Sequence, residues 1–506
     1  MFRLSSIALL TLTVLSFTFI FDHELWTPDE PRDAEIAREI GFTAVPTLNG
    51  APFLEKPPLY FWTVAASYKL FGVSASAARL PSILFSWGTW LFTFLLARRM
   101  FGAAAGLYAT LILGTMVMFF DISHKSAVDN ALVFFTTATF YWLYIGYRSE
   151  EKKLYGYLAA YLFAFGALMS KGLVGLALTA PAFVTFLVWQ KKYREILRSQ
   201  PWLALLVIGT GATIWLAYLT PELRHTWLID NHLGRFTGKF AASGHNRPFF
   251  YYAVASFYAF APWTLALIPT LVWAVKPVDT ADKRFLLSWL AVGVLILSLA
   301  STKREIYLLP ILPAAAILIA AWFYQVDARP KWATGLLRVF AAVLAVAHLL
   351  VWLLAVGLHN WLGLAIATAM PIGAAALFFV GGRVWPVGLS LATASALVSG
   401  FSVVGPALER TKNLEPFSRQ LPRLDRIPAL NPDETTLAVV PFYTGRRVEP
   451  VKEPGSQYLV VTLKRRNEKL PDGYQVLVKH DPEPFDLFGF RVKFSDRSLY
   501  FLKRSS

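Results

Sequence analysis

The sequence has no cysteine, six methionines and few charges for its length: 16% of its 506 residues are Asp, Glu, Lys or Arg. Without cysteine there is no disulfide framework, no thiolate nucleophile and no Cys-ligated metal, so a metal site would have to use histidine and carboxylates. Acids are scarcer than bases, 32 against 48, giving a net charge of +16. The lysines and arginines lie in short clusters between apolar runs, which is where cytoplasmic loops carry them, so the basicity reads as membrane topology and not as nucleic-acid binding. There is also no internal repeat of the kind that marks many secondary transporters.

What remains is 56% hydrophobic, the composition of a multi-spanning membrane protein. Apolar runs of spanning length lie near 4–21, 80–97, 103–120, 130–147, 155–170, 173–189, 203–219, 254–273, 285–300, 307–324, 336–356, 361–379 and 384–404. About thirteen transmembrane helices are therefore expected. The first run reads as a retained helix and not as a cleaved signal, since its exit, "FDHELW", offers no small-x-small site. Arg3, Arg98, Arg99, "YRSEEKK", "QKKYREILR", "KPVDTADKR", "DARPKW" and "GGR" all fall on one side of this path. That side is cytoplasmic by the positive-inside rule.

The opposite side receives five charged stretches and everything after the last span. From 405 to 506 the chain turns polar, with short alternating runs such as "TLAVV" and "QYLVVTL" between Pro, Gly, Asn and Asp. This predicts a 1–404 transmembrane domain followed by a small soluble α/β domain over 405–506 on the outer side.

The first outer stretch, "TPDEPRDAEIARE", has the composition and start signal of a helix. Its charges serve either an interfacial helix with surface ion pairs or a site. In "NGAPFLEKPPLYFW", Glu55 and Lys56 precede Pro57 and Pro58, which stiffen the chain, and an aromatic belt at Tyr60, Phe61 and Trp62. In "DISHKSAVDNALVFF", Asp129 stands where a helix re-enters the membrane, either as a simple N-cap or as a functional acid. The fourth, "IDNHLGRFTGKFAASGHNRPFFYY", holds His232, Arg235, Lys239 and His245; the fifth, "STKREIYLLP", holds Lys303, Arg304, Glu305 and Tyr307. Several cations beside several carboxylates on one face suit the binding of phosphate while another group is oriented.

In this order, "DEPRDAEIARE", "NG" before "FLEKPPLYFW", "ARLPS", Asp129, "SKGLVG", "NHLGRF", "RPFFYY" and "YLLP" resemble the bacterial lipid-to-lipid glycosyltransferases related to protein O-mannosyltransferases. The resemblance runs from about Asp29 to Pro310 and is closest to the undecaprenyl phosphate-4-amino-4-deoxy-L-arabinose transferases that modify lipid A. It implies a polytopic α-helical fold of the GT-C type in the bacterial inner membrane, working as a monomer, with its active site and C-terminus facing the periplasm. The implied donor is a polyprenyl phosphate-linked sugar and the implied acceptor lipid A or another envelope molecule, with no nucleotide and no nucleic acid involved. Asp29 and Asp129 become the essential carboxylates, and Arg32, Lys56, Arg235 and Tyr307 the groups that handle the donor phosphate. A zinc ion would fall to Glu55 and His232, with His245 the less favoured ligand. Asp33 departs from the pattern, standing where an aromatic is expected after "DEPR".

Overall fold

The computed structural model describes residues 2–238, 246–276, 280–327, 329–357, 360–361, 364–365, 368, 385–463, 469–481, 485–487, 490–492 and 498–505. Helix α1 (Phe2–Phe17) leads to α2 (Asp29–Ile40), and a two-stranded ribbon of β1 (Thr47–Leu48) and β2 (Ala51–Pro52) leads to α3 (Leu59–Phe71). Then come α4 (Ala75–Phe101), α5 (Ala103–Gly114), α6 (Val117–Ser123), α7 (Val128–Arg148), α8 (Lys153–Lys171) and α9 (Val174–Trp189).

Local chemistry sets these boundaries. The Ser74 hydroxyl caps α4 by accepting from the Ala77 amide at 3.2 Å, satisfying one of the orphan donors of a helix start. Gly172, at φ +78°, ends α8 where a Cβ would lie 2.1 Å from the His232 ring, so only glycine fits between α8 and α9.

Among the described residues, five helices are long and apolar enough to cross a membrane, or up to seven if each of two bent pairs is one span. The expected count of thirteen is therefore not matched by length and composition alone. Every expected run has a helical counterpart except 361–379, most of which lies outside the described residues. Two runs read as straight spans are in fact broken: α5 and α6 meet at 71°, and Tyr251–Ala259 meets Thr264–Val275 at 115°. The second break falls at Pro262, which has no amide to continue the helix. The two breaks touch, Val117 donating its amide to the Ala261 carbonyl at 2.8 Å and the Trp263 indole donating to the Thr115 hydroxyl at 2.9 Å.

The last long helix, Trp385–Lys412, continues two turns past the expected boundary at 404. Beyond it a five-stranded sheet has the order β4-β3-β5-β9-β6, formed by β3 (Arg426–Leu430), β4 (Arg447–Val451), β5 (Tyr458–Leu463), β6 (Tyr474–His480) and β9 (Ser498–Arg504). A short hairpin of β7 (Phe485–Leu487) and β8 (Phe490–Val492) stands apart. Strand β3 pairs in parallel with β4, so a crossover is required. The helix Glu434–Thr444 supplies it, capped by the Asp433 carboxylate, which accepts from the Thr436 amide at 2.9 Å.

This α/β unit is not a free appendage. Ala438 packs into the same apolar cluster as Ala34, Ala37 and Val64. Asn49 exchanges two hydrogen bonds with the Val448 backbone, at 2.8 and 2.9 Å. The soluble unit thus rests on α2 and on the β1–β2 turn, above the cavity described next.

Candidate active site

Helix α2 is not the surface helix that its charges would allow. Glu30, Arg32, Asp33 and Glu35 are all buried, and each of the first three has a different use. Glu30 takes the fully buried Arg79 guanidinium at 2.8 and 3.0 Å. It also accepts from the Trp26 and Ser126 amides, each at 3.0 Å. Arg79 donates onward to the carbonyls of Ile20, His23 and Glu24. One ion pair therefore ties the segment just after α1, the start of α2, α4 and the loop before α7. Arg79 sits in "ARLPS", a stretch that carried the resemblance but gave no role for its arginine.

Asp29, one residue earlier, opens onto a cavity of about 640 Å³. Its two oxygens are bridged by Arg32 and Arg304, each at 2.9 Å. Burial opposes the charge on Asp29, but the two guanidinium groups outweigh it and hold the carboxyl well below the usual carboxylate range. Arg304 lies just before the helix Glu305–Gln325; sequence reasoning noted it among the outer charges but gave it no role.

Asp33, where an aromatic is expected, bridges the Arg32 Nε and the Lys56 ammonium, both at 3.2 Å. The departure thus places a buried anion between the two cations assigned to the donor phosphate. Arg32 is also met by Glu434 of the soluble unit at 3.4 Å.

Asp129 lies in the first turn of α7 and makes no capping bond, which removes the simple cap reading. It pairs with Lys171, the last residue of α8. The Lys171 ammonium also sits 4.7 Å from the centre of the Tyr307 ring, a cation–π contact. Lys171 belongs to "SKGLVG", a stretch that carried the resemblance but gave its lysine no role; only the approach of α7 and α8 makes it Asp129's partner.

Asp29, Arg32, Glu55, Lys56, Asp129, His232 and Tyr307 all line the one cavity. Stretches far apart in sequence are thus brought together. Arg235 begins a short helical turn, and its side chain lies outside what the structure describes, as do Lys239 and His245. The ionisable groups stand at helix ends, Asp129 at the start of α7, Lys171 at the end of α8 and Arg304 before its helix. The other wall is apolar, with Leu173, Val174, Leu178, Leu233, Phe236 and Leu297. Such a cavity suits an amphipathic molecule with an anionic head.

For a metal the donor set is thin. Among the described residues no three His, Asp or Glu side chains cluster as a site. The His232 Nδ1 lies 2.6 Å from the Trp227 carbonyl, the kind of outer contact that orients metal-bound imidazoles. Glu55 and His232 supply two protein donors, short of the three that catalytic zinc sites usually have.

Residues 55–218 match the sequence family of the dolichyl-phosphate-mannose-protein mannosyltransferases. The undecaprenyl phosphate-alpha-4-amino-4-deoxy-L-arabinose arabinosyl transferase of Serratia proteamaculans is 32% identical over 310 residues, 59% of this chain and 55% of that protein. The corresponding transferase 2 of Proteus mirabilis is 29% identical over 69% of this chain and 65% of its own length. The matches thus span between half and two thirds of these relatives. The crystal structure of ArnT from Cupriavidus metallidurans bound to undecaprenyl phosphate superposes with a TM-score of 0.76 at 19% identity, over 99% of this chain and 97% of that one. These likenesses and the apolar helices make the chain a multi-pass inner-membrane protein. The resemblance read from the motifs is borne out: the chain carries the sequence pattern of the protein O-mannosyltransferase-like superfamily over residues 55–218 and the GT-C fold over nearly its whole length.

Proposed function

We propose that this chain is a glycosyltransferase that moves 4-amino-4-deoxy-L-arabinose from undecaprenyl phosphate to a phosphate of lipid A, on the periplasmic face of the inner membrane. The observation that carries the reading is the pair of cation-bound carboxylates, Asp29 with Arg32 and Arg304 and Asp129 with Lys171, inside a cavity whose other wall is apolar. A polyprenyl chain leaves the bilayer at a cost of about 0.8 kcal/mol per exposed CH₂. A site built from helix ends meets the headgroup without that cost.

Displacement at the anomeric carbon expels a phosphate monoester, and cations at the leaving oxygen stabilise charge that grows in the transition state. Arg32, Lys56 and Lys171 are assigned to that oxygen, with Tyr307 beside Lys171. The acceptor decides what the carboxylates do. A hydroxyl acceptor needs a base, and a carboxylate held as far down as Asp29 is a poor one. A phosphate acceptor arrives already anionic, so no base is needed, and Asp129, joined by Asp29 once Arg32 turns to the donor phosphate, can grip the cationic amino group of the sugar. This favours lipid A over a protein or glycan hydroxyl. A single displacement inverts the anomeric centre, with the acceptor oxygen–carbon bond forming as the donor carbon–oxygen bond breaks.

A zinc ion bound here would use Glu55 and His232 and would add positive charge near the phosphate; no step depends on it. Metal analysis of purified wild type and His232→Ala tests this, with equal metal content in the two removing the assignment.

Purified protein given undecaprenyl phosphate-aminoarabinose and lipid A should yield lipid A heavier by one aminoarabinose, with inverted anomeric configuration by NMR. A retained configuration would sink the single displacement. Transfer to a peptide or glycan hydroxyl with none to lipid A would replace the acceptor.

A further inference from the structure

The cavity holds more cations than its donor assignment uses. Lys125 on the loop before α7 and Lys412 at the end of the last long helix both line it, beside Trp26 and Asp121. Lys125 is paired to both oxygens of Asp121, at 2.6 and 2.7 Å. The Lys412 ammonium makes no hydrogen bond or ion pair among the described residues, although Lys125, Asp121, Glu30 and Asp29 are all within electrostatic range.

The carboxylates around Lys412 explain why it is left over. Glu30 is taken by Arg79 and two backbone amides. Asp29 gives one oxygen to Arg32 and the other to Arg304. Glu409, one turn back on the same helix, is held by the Trp26 indole at 2.6 Å and by Asn413 at 2.7 Å. A lysine in the last turn of a helix suits the helix dipole, but that does not account for one facing a cavity beside a second lysine. Two neighbouring ammonium groups, only one of them neutralised, make an anion site.

Asp29 relates this site to the chemistry. On one side it is bound to the guanidinium groups of Arg32 and Arg304, and Lys412 lies within range without bonding to it. A displacement between two phosphates brings two anions to opposite faces of one carbon, and each needs its own cations against their mutual repulsion.

We propose that Lys412, with Lys125 beside it, is the subsite for the anionic group of the acceptor, a phosphate carried by a lipid. This rests on the transferase reading for its role and on the unpaired ammonium for its existence. The attacking phosphate oxygen forms the new bond to the anomeric carbon, the old carbon–oxygen electron pair leaves with the polyprenyl phosphate, and no proton has to move. Lys412 binds the acceptor ahead of that step.

The test uses the full chain in phosphatidylcholine nanodiscs: wild type, Lys412→Gln, Lys412→Arg and Lys125→Gln. Native mass spectrometry reads the binding of lipid A with and without its phosphates, and of undecaprenyl phosphate as the control for an intact fold. Lys412→Gln should weaken phosphorylated lipid A about tenfold or more, the loss of one charge-assisted contact, with the control unchanged. Lys412→Arg should recover most of that affinity, and Lys125→Gln should fall between. Millimolar inorganic phosphate that displaces no lipid A would make the lipid the ligand; phosphate that competes in wild type and not in Lys412→Gln would assign the site to the phosphate group itself.

Unchanged affinity for phosphorylated lipid A in Lys412→Gln overturns the subsite, as does an equal loss with the dephosphorylated lipid. Full sugar transfer with unaltered lipid A affinity in that variant would discard the subsite and leave the transferase standing. Phosphate-dependent, Lys412-dependent binding by a protein that transfers no sugar would do the reverse.

Discussion

Asp29 and Glu30 are neighbours on one helix, both acidic and both bound to arginine, yet their side chains are 32% and 1% exposed. Glu30 borders the same cavity but is almost fully buried, its carboxylate spent on Arg79 and two amides, so it is scaffold. Asp29 faces the cavity and is held by two cations that a substrate phosphate could also use, which is why the proposal makes it part of the site. The rotation of about 100° between successive helical residues separates the two roles. A stretch of dense charge beside a membrane span can thus serve architecture at one position and line a cavity at the next, and residue type does not say which.

The sharpest way to break this contrast is to remove one partner from each pair. Arg79→Met leaves Glu30 charged and buried without a counter-ion, which typically costs about 3–5 kcal/mol; thermal unfolding in detergent should show a large fall in Tm or no folded protein. Asp29→Asn loses the stability of its two bridges and should lower Tm, but by less than Arg79→Met because Asp29 is part-exposed, and should leave a folded protein whose sugar transfer drops at least about 100-fold. If Asp29→Asn unfolds the protein and Arg79→Met leaves it intact and inactive, the two roles have been exchanged.

The pH dependence sharpens the same point. Asp29's carboxyl is held below its unfolded value, near about 3.9, so its bridge contributes stability above that value and loses it only as pH falls through the lower folded one. The stability difference between wild type and Asp29→Asn should therefore stay constant between about pH 5 and 8. A difference that changes across that window would mean that the carboxyl titrates there and is free to act as a base.

Smaller effects are expected further out. Lys56→Ala should raise the KM for the donor about tenfold, the loss of one charge-assisted contact, with a smaller fall in Tm than Arg79→Met because the buried Asp33 keeps Arg32 as its counter-ion. Glu434→Gln, whose carboxylate is 54% exposed and 3.4 Å from Arg32, should change stability by less than about 1 kcal/mol. A large loss of activity in Glu434→Gln would make the soluble unit part of the site and not only its roof.

The membrane class and most of the cavity wall were legible in the sequence. Asp29, Lys56 and Asp129 were singled out through the family resemblance, since the residues alone left a surface ion pair or a helix cap equally open, and the structure places all three on one cavity. Lys171, Arg304 and Arg79 were not singled out, because each gains its meaning from a partner more than forty positions away: Asp129, Asp29 and Glu30. The bends between α5 and α6 and at Pro262 were likewise hidden, since an apolar run has the same hydropathy whether straight or broken. The Asp33 departure was visible, but its use as a bridge between Arg32 and Lys56 depended on the β1–β2 turn bringing Lys56 back over α2.

Transfer of radiolabelled aminoarabinose from undecaprenyl phosphate to lipid A, by purified wild type and by Asp29→Asn shown to be folded at the assay temperature, tests the central claim most directly. Label in lipid A with wild type and at most about one hundredth as much with the variant is the predicted result. Equal transfer by both would contradict the account, because it would make Asp29 scaffold like its neighbour.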